Sequence, residues 1–201
     1  LLATLLALSL AMVILGGNMM FMSGFTDAFS EATDDQENWE YQISALPSGL
    51  ENITSWAEDN TSAFELTLVA QASIAGTTKG IDLKGNDVLS EQDDALHRLN
   101  LLDGDLPVSG QSPTQGILDE GSSELEGYAI GDVITIDFEG EQHDIEVVGI
   151  ARELSRSIYM HRSDVQPIVG EEANGALLVT ASDADIEDIR FSTISIVEKE
   201  T

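Results

Sequence analysis

Residues Leu1–Met22 form one uncharged apolar run, and no Lys or Arg occurs before Lys79. That run constrains the chain more than any other feature. A helix rises about 1.5 Å per residue and the hydrocarbon core is about 30 Å thick, so roughly 20 apolar residues cross it. The run meets that length, and its polar members Thr4, Ser9 and Asn18 are neutral. Gly16 and Gly17 weaken the helix, but glycine is common in membrane spans and lets another helix approach closely. The rival reading is a secretory leader, whose apolar core is about 7–15 residues and is followed by a small-residue cleavage site. No clear A-x-A site follows here, so the retained span is the better fit. We read residues 1–24 as a transmembrane helix and 25–38 as an acidic linker, into which the helix extends as far as about Ser30.

Charge sets the orientation. Cytoplasmic flanks tend to carry Lys and Arg. Here Asp27, Glu31, Asp34, Asp35, Glu37 and Glu40 come first, so residues after about 25 are expected on the extracytoplasmic side of a cell membrane.

The whole chain has 201 residues and a formal net charge of −29. The part beyond the run, about 175 residues, suffices for one domain or two small lobes. Such acidity repels nucleic acid and anionic headgroups, so no nucleic-acid partner is expected. The carboxylates are scattered through every segment, which suits a salt-adapted, solvated surface, as in a halophilic archaeon, better than a dedicated cation site. There are no cysteines, and therefore no disulfide, thiolate metal site or Cys nucleophile. Two sequons, Asn52-Ile53-Thr54 and Asn60-Thr61-Ser62, make Asn52 and Asn60 candidates for glycosylation in an exported chain.

Hydrophobic periodicity divides the rest into short elements. Trp39, Tyr41, Ile43 and Ala45 alternate as a strand; Leu50, Ile53, Trp56 and Ala57 give a helix over 49–59. Phe64–Ile74 alternates again, as one strand or two joined near Gln71, completing a β-α-β unit. Lys79–Leu83 is a short strand. Ser90-x-x-Asp93 resembles a capping box before a helix at about 91–102, with 108–116 a polar loop. Ile117–Asp119 is a strand, and Ser122–Ala129 a helix or helical turn. Gly131-Asp132 opens a hairpin, Val133–Phe138 and His143–Ile150, turning at Glu139-Gly140-Glu141. Then follow a strand at 157–160, a turn of helix at 164–169 capped by Ser163 and ended by Gly170, and a strand at 175–180. Ser182-Asp183 opens a last helix whose Ile186, Ile189 and Ile194 share a face.

The order of these features resembles a known family. The residues are Gly104-x-x-Pro107, Ile117-Leu118-Asp119-Glu120, Tyr128-Ala129-Ile130-Gly131-Asp132-Val133-Ile134-Thr135-Ile136, Ile145-Glu146-Val147-Val148-Gly149-Ile150 and Tyr159-Met160-x-x-Ser163-Asp164. Behind an N-terminal span they look like the extracytoplasmic core domain of ABC-transporter permeases of the MacB, LolC/LolE and FtsX-like superfamily. The likeness is strongest over Ile117–Gly170, where Gly131, Asp132 and Gly149 mark the motif. It implies an α+β (α/β mixed), two-lobed ectodomain over 39–201. A porter-like β-α-β lobe would comprise about 39–76 plus 175–197, and an inserted β-rich lobe about 77–174. It also implies three further spans after Thr201, a cytoplasmic ABC ATPase on a separate chain, and a homo- or heterodimer with a second permease. The function expected is coupling of ATP hydrolysis to export of, or mechanical work on, a lipid, lipoprotein, peptide or drug at the outer face.

No catalytic set is legible. His97, His143 and His161 are isolated in sequence, and H-E-x-x-H, G-x-S-x-G, P-loop and EF-hand patterns are absent. Asp34-Asp35 and Glu171-Glu172 read as solvated loop charges, and Asp183, Asp185, Glu187 and Asp188 as complements to a helix N-terminus. No catalytic residue, cofactor or metal is therefore expected. Two alternatives stay open: a membrane-anchored binding or receptor ectodomain without transport, and a secreted protein with a cleaved leader.

Overall fold

Short apolar strands separated by acidic, glycine-containing turns can satisfy their backbone either in an open sheet or by closing on themselves. This chain does both. A computed structural model describes residues 37–92, 94–153, 155–181 and 184–199. The span assigned to 1–24 and most of the linker lie outside the described residues. Among the described residues no helix is long and apolar enough to cross a membrane.

The elements are β1 (Tyr41–Ser44), α1 (Pro47–Asn60), β2 (Thr61–Ile74), β3 (Gly80–Asn86), β4 (Leu101–Gly104), β5 (Thr114–Asp119) and α2 (Glu120–Glu126). Then come β6 (Val133–Phe138), β7 (Glu141–Ala151), β8 (Ser157–His161), α3 (Arg162–Val169), β9 (Gly175–Thr180), a 3-10 helix (Ile186–Ser192) and β10 (Ser195–Glu198). The class is α+β.

Four strands form an open antiparallel sheet in the order β10-β1-β9-β2. Because β9 lies between them, β1 and β2 are parallel to each other, and α1 is their crossover. Pro47 opens α1, where its missing N–H costs no intrahelical bond. Ile53 of α1 and Ile189 of the 3-10 helix pack with Ile43 and Leu178 over one face.

The second half of β2 belongs to a ring of six strands. β2 pairs with β3, β3 with β8, β8 with β5, β5 with β7, β7 with β6, and β6 returns to β2. Two residue pairs, Ser73↔Asp137 and Ile74↔Ile136, make the closure. Inward side chains fill the small barrel: Leu68, Leu83, Leu118, Ile134, Ile145, Ile158 and Met160 are all buried together. Val165 of α3 closes this core and is fully buried. Interiors of barrels this small leave room for side chains rather than a channel.

Several boundaries differ from the sequence reading. Among the described residues of 91–102 no helix forms. Ser90 Oγ accepts from Gln92 N at 3.0 Å, a local turn, and Leu99 N donates to Ser90 O at 2.9 Å. Leu96 and Leu99 meet two different cores, which one helical face could not serve. The segment continues into β4, paired with β7. The last helix is also corrected. It is a 3-10 helix from Ile186, and the three-residue spacing of Ile186 and Ile189 suits its period. Ile194 lies beyond it, 67% exposed, and leads into β10, which periodicity did not reveal. Ser182 and Asp183 lie outside the described residues.

Other shifts are smaller. Phe64–Ile74 is one strand that begins at Thr61. β5 starts at Thr114, inside the expected polar loop, because Thr114 and Gln115 pair in parallel with Ile145 and Glu146. α2 starts at Glu120, since Asp119 Oδ1 accepts from Ser122 N at 2.8 Å, and left-handed Gly127 ends it. The N-cap of α3 is His161 rather than Ser163, whose hydroxyl turns to Ser109.

If the barrel interior carries the stability of this half, Leu68→Ala removes a fully buried side chain from β2 and costs about 2–5 kcal/mol. Leu125→Ala, at a site 76% exposed, stays within about 0.5 kcal/mol. Denaturant melts of the two variants check the contrast.

Candidate functional site

The Gly-Asp motif is a turn built for its backbone. Gly131 has φ +90°, a conformation that favours glycine, and space around it is open. Its N–H donates to Val147 O at 2.8 Å, while Asp132 Oδ2 accepts from Ala129 N at 2.8 Å. The Asp132 carbonyl accepts from Val147 N at 2.8 Å, which fixes the start of β6 against β7. Gly149 is a glycine for a different reason. A Cβ there would sit 2.8 Å from Asp105 O and 2.9 Å from Leu101 Cδ1. Its partner across the β4–β7 ladder is Gly104, also a motif residue, so two glycines face each other where the backbones come closest.

The histidines do not meet one another's functions. His161 Nε2 lies 3.0 Å from Pro107 O, tying the loop before β5 to the start of α3. Ser109 Oγ and Gly110 N both donate to Asp164 Oδ1 on the same helix, at 3.1 and 2.9 Å. That loop walls an open cavity of about 600 Å³, whose lining includes Pro113, Thr114, His143, Asp144, Asp164 and Pro167. His143 Nε2 and Asp164 Oδ2 are shielded from water there and have no hydrogen-bond partner among the described residues.

His97 belongs to a buried polar network. Its ring stacks on Tyr159, with centroids 5.2 Å apart and planes within 9°. Its Nε2 stands 3.7 Å from Glu153 Oε1, and Tyr159 Oη donates to Glu153 Oε2 at 2.8 Å. Lys84 Nζ donates to Tyr159 Oη and Ser155 Oγ, each at 2.8 Å. Glu65, on β2, is buried and accepts from Val88 N at 2.9 Å. Burial raises its pKa above the ordinary 4.5 and Asp87 adds to this, while the Val88 N–H and His97 act in the opposite direction. Sequence spacing could not show this network, because its members come from β2, β3, β8 and two loops. Among the described residues no group of three His, Asp or Glu is placed to hold a metal ion.

The two sequons differ in access. Asn52 is exposed on α1, its amide donating to Ser192 Oγ at 3.4 Å, while half-buried Asn60 donates its amide to Trp56 O at 2.8 Å. Glu171 and Glu172 are exposed, and the Glu172 carbonyl accepts from Arg162. Asp34 and Asp35 lie outside the described residues.

No protein-family model and no curated relative matches the sequence. Solved structures do match. The extracellular domain of the noncanonic ABC-type transporter YknZ from Gram-positive bacteria is 17% identical, with a TM-score of 0.51 over 75% of this chain and 87% of that one. The periplasmic region of MacB from Actinobacillus actinomycetemcomitans is 14% identical, with a TM-score of 0.49 over 76% and 78%. The chain shares the fold of the YknZ extracellular domain. The likeness to YknZ carries that statement, and it concerns the fold alone.

Two tests address the motif and the network. Gly131→Val places a β-branched residue at φ +90° in open space and costs about 1–2 kcal/mol or somewhat more. Gly149→Val also drives a side chain into the backbone at Asp105, so its melting temperature falls further. The second test concerns Glu65. Its raised folded pKa means that the folded state holds the proton more tightly than the unfolded chain. Its ionisation therefore costs stability as pH rises through about 4.5 and above. Glu65→Gln keeps an acceptor for Val88 and removes that cost. Melting at pH 7 should rise relative to the parent, and the difference should vanish below about pH 4.

Proposed function

We propose that this chain is the outward-facing domain of an ABC-transporter permease, coupling a cytoplasmic ATPase to export or mechanical work at the outer face. The observation that carries the reading is where the backbone enters and leaves the fold. β1 and β10 are antiparallel neighbours, Tyr41 opposite Glu198, and Lys199 N donates to Glu40 O at 2.9 Å. Lead-in and lead-out thus sit side by side at one end of the open sheet. A domain inserted between two membrane segments is served by that arrangement. The apolar run Leu1–Met22 would supply the first segment, and the fold shared with the YknZ extracellular domain supports an extracytoplasmic setting.

In this reading the porter-like lobe is the open sheet with α1 and the 3-10 helix, about 39–76 plus 175–197. The inserted lobe, about 77–174, supplies five of the six barrel strands, and the second half of β2 supplies the sixth. The domain performs no chemistry; a separate ATPase supplies the energy, and a second permease subunit completes the transporter. The lipid, lipoprotein, peptide or drug acted on would be met at the outer face. The charge of −29 then serves solvation in a salt-rich exterior, and Asn52 is the sequon with an accessible carboxamide.

The absence of native cysteine allows a direct test. A single cysteine at Leu125, 76% exposed, is expected to react with a membrane-impermeant maleimide in intact cells. Labelling only after lysis would place the domain inside and sink the proposal.

A further inference from the structure

In the segment 87–100 that replaces the expected helix, the described residues have little regular structure yet bury three leucines in two places. Leu96 packs with Trp39 and Leu177 on the open sheet, on the face opposite α1. Leu89 and Leu99 pack with Ile117, Ala151 and Tyr159, which point outward from the barrel wall. Polar contacts repeat the pattern. Asn38 N donates to Leu96 O at 2.9 Å, and Asn38 Nδ2 to Ala95 O at 2.7 Å. One residue later His97 stacks on Tyr159 and faces Glu153. At the far end Arg152 N donates to Asn100 O at 2.8 Å. At the near end Val88 N is held by Glu65 of β2.

Asn38 and Trp39 lie just before β1, where the chain enters the open sheet. From there residues 95–97 lead to the outer barrel wall, a second route beside the pairing of β9 with β2. We propose that residues 87–100 form a strap that couples the lead-in at Asn38–Trp39 to the outer wall of the barrel at Tyr159 and Glu153. The coupling is a property of the domain. Its use in transmitting nucleotide-driven movement rests on the permease reading.

A stated coupling needs an energetic measurement, since adjacency alone does not establish it. Trp39 and Tyr159 lie in different apolar clusters, and the strap contributes leucines to both. A double-variant cycle of Trp39→Phe and Tyr159→Phe, on the full chain in nanodiscs, reads it out. Sites without shared partners act independently, whereas coupled ones depart from independence. The strap predicts an unfolding equilibrium constant that departs from the product of the single effects by a factor of about 2.5 or more. In a His97→Gln background that departure should fall toward unity. If Trp39→Phe does not fold, Leu96→Val takes its place. Effects that multiply within error would overturn the strap. Because the measurement needs no ATPase, that result would leave the permease reading standing, and inward-facing labelling of Leu125→Cys would leave the strap standing.

Discussion

The whole arrangement depends on β2 serving two sheets at once. It is 14 residues long, about 45 Å at 3.3 Å per residue. Its first half pairs with β9, its second half with β3, and its last two residues with β6. Thr67 stands at the changeover, opposite both Gly175 and Asn86. Side chains two apart share a face, so Leu66 packs under α1 while Leu68 lies inside the barrel. One face of one strand therefore supplies two cores. A continuous hydrogen-bonded strand is stiff, whereas a loop between the two would have left their relation to weaker surface contacts.

That economy leaves the barrel wall exposed on the outside, and the strap answers it. Ile117, Ala151 and Tyr159 alternate with inward-pointing neighbours, so they would face water without Leu89 and Leu99. Some polar groups beneath the strap are matched as well, although His97 Nε2 and Glu153 Oε1, 3.7 Å apart, make no hydrogen bond. Lys84 brings a positive charge to the Tyr159–Glu153 pair, and Glu65 receives the Val88 N–H. A buried carboxylate with one good donor is still costly. Its retention at the strap's root fits an element fixed by specific polar contacts rather than by regular structure. Close approach does similar work nearby, where Gly104 and Gly149 let β4 lie against β7 with no side chain between them.

How much of this was legible in the sequence follows from which forces are local. The β6–β7 hairpin was readable because Ile134, Ile136, Ile145 and Val147 alternate and Gly131-Asp132 specifies its turn. The β1-α1-β2 unit was readable for the same reason, as was the family resemblance carried by those motifs. The ring was not. β2 meets β6 across more than sixty residues through two pairs, and nothing in either strand's own pattern announces it. The helix assigned to 91–102 failed because Leu96, Leu99 and Leu102 have helical spacing but separate destinations; Leu102 is in fact exposed. β10 was hidden because it is a four-residue edge strand with one half-buried residue facing the core. Of the polar network, only residue types were visible. His97 finds its neighbours through the barrel's topology, which brings β3 and β8 side by side.

The two free edges show how the acidity bears on the fold. An open sheet presents unpaired backbone groups that invite another chain. The barrel removes most such edges by closure. Among the described residues β10 stands at one end of the strand order and β4 at the other, each four residues long. β4 is further broken by an irregular register between Leu101 and Asp103 and ends at Gly104. Cations are too few to neutralise the surface: Lys79 and Arg156 share Glu126, Arg162 takes Asp87, and Arg190 takes Glu187. Most carboxylates therefore face solvent without a fixed counter-charge, at a formal −29 for the chain. Two copies approaching edge to edge would bring like charges within a Debye length, about 10 Å at 0.1 M salt. Short edges and surplus charge thus act in the same direction. In concentrated salt only the short edges still oppose pairing, because the screening length shrinks to about 3 Å at 1 M. Any association in such salt would then depend on shape and apolar contact rather than on long-range attraction.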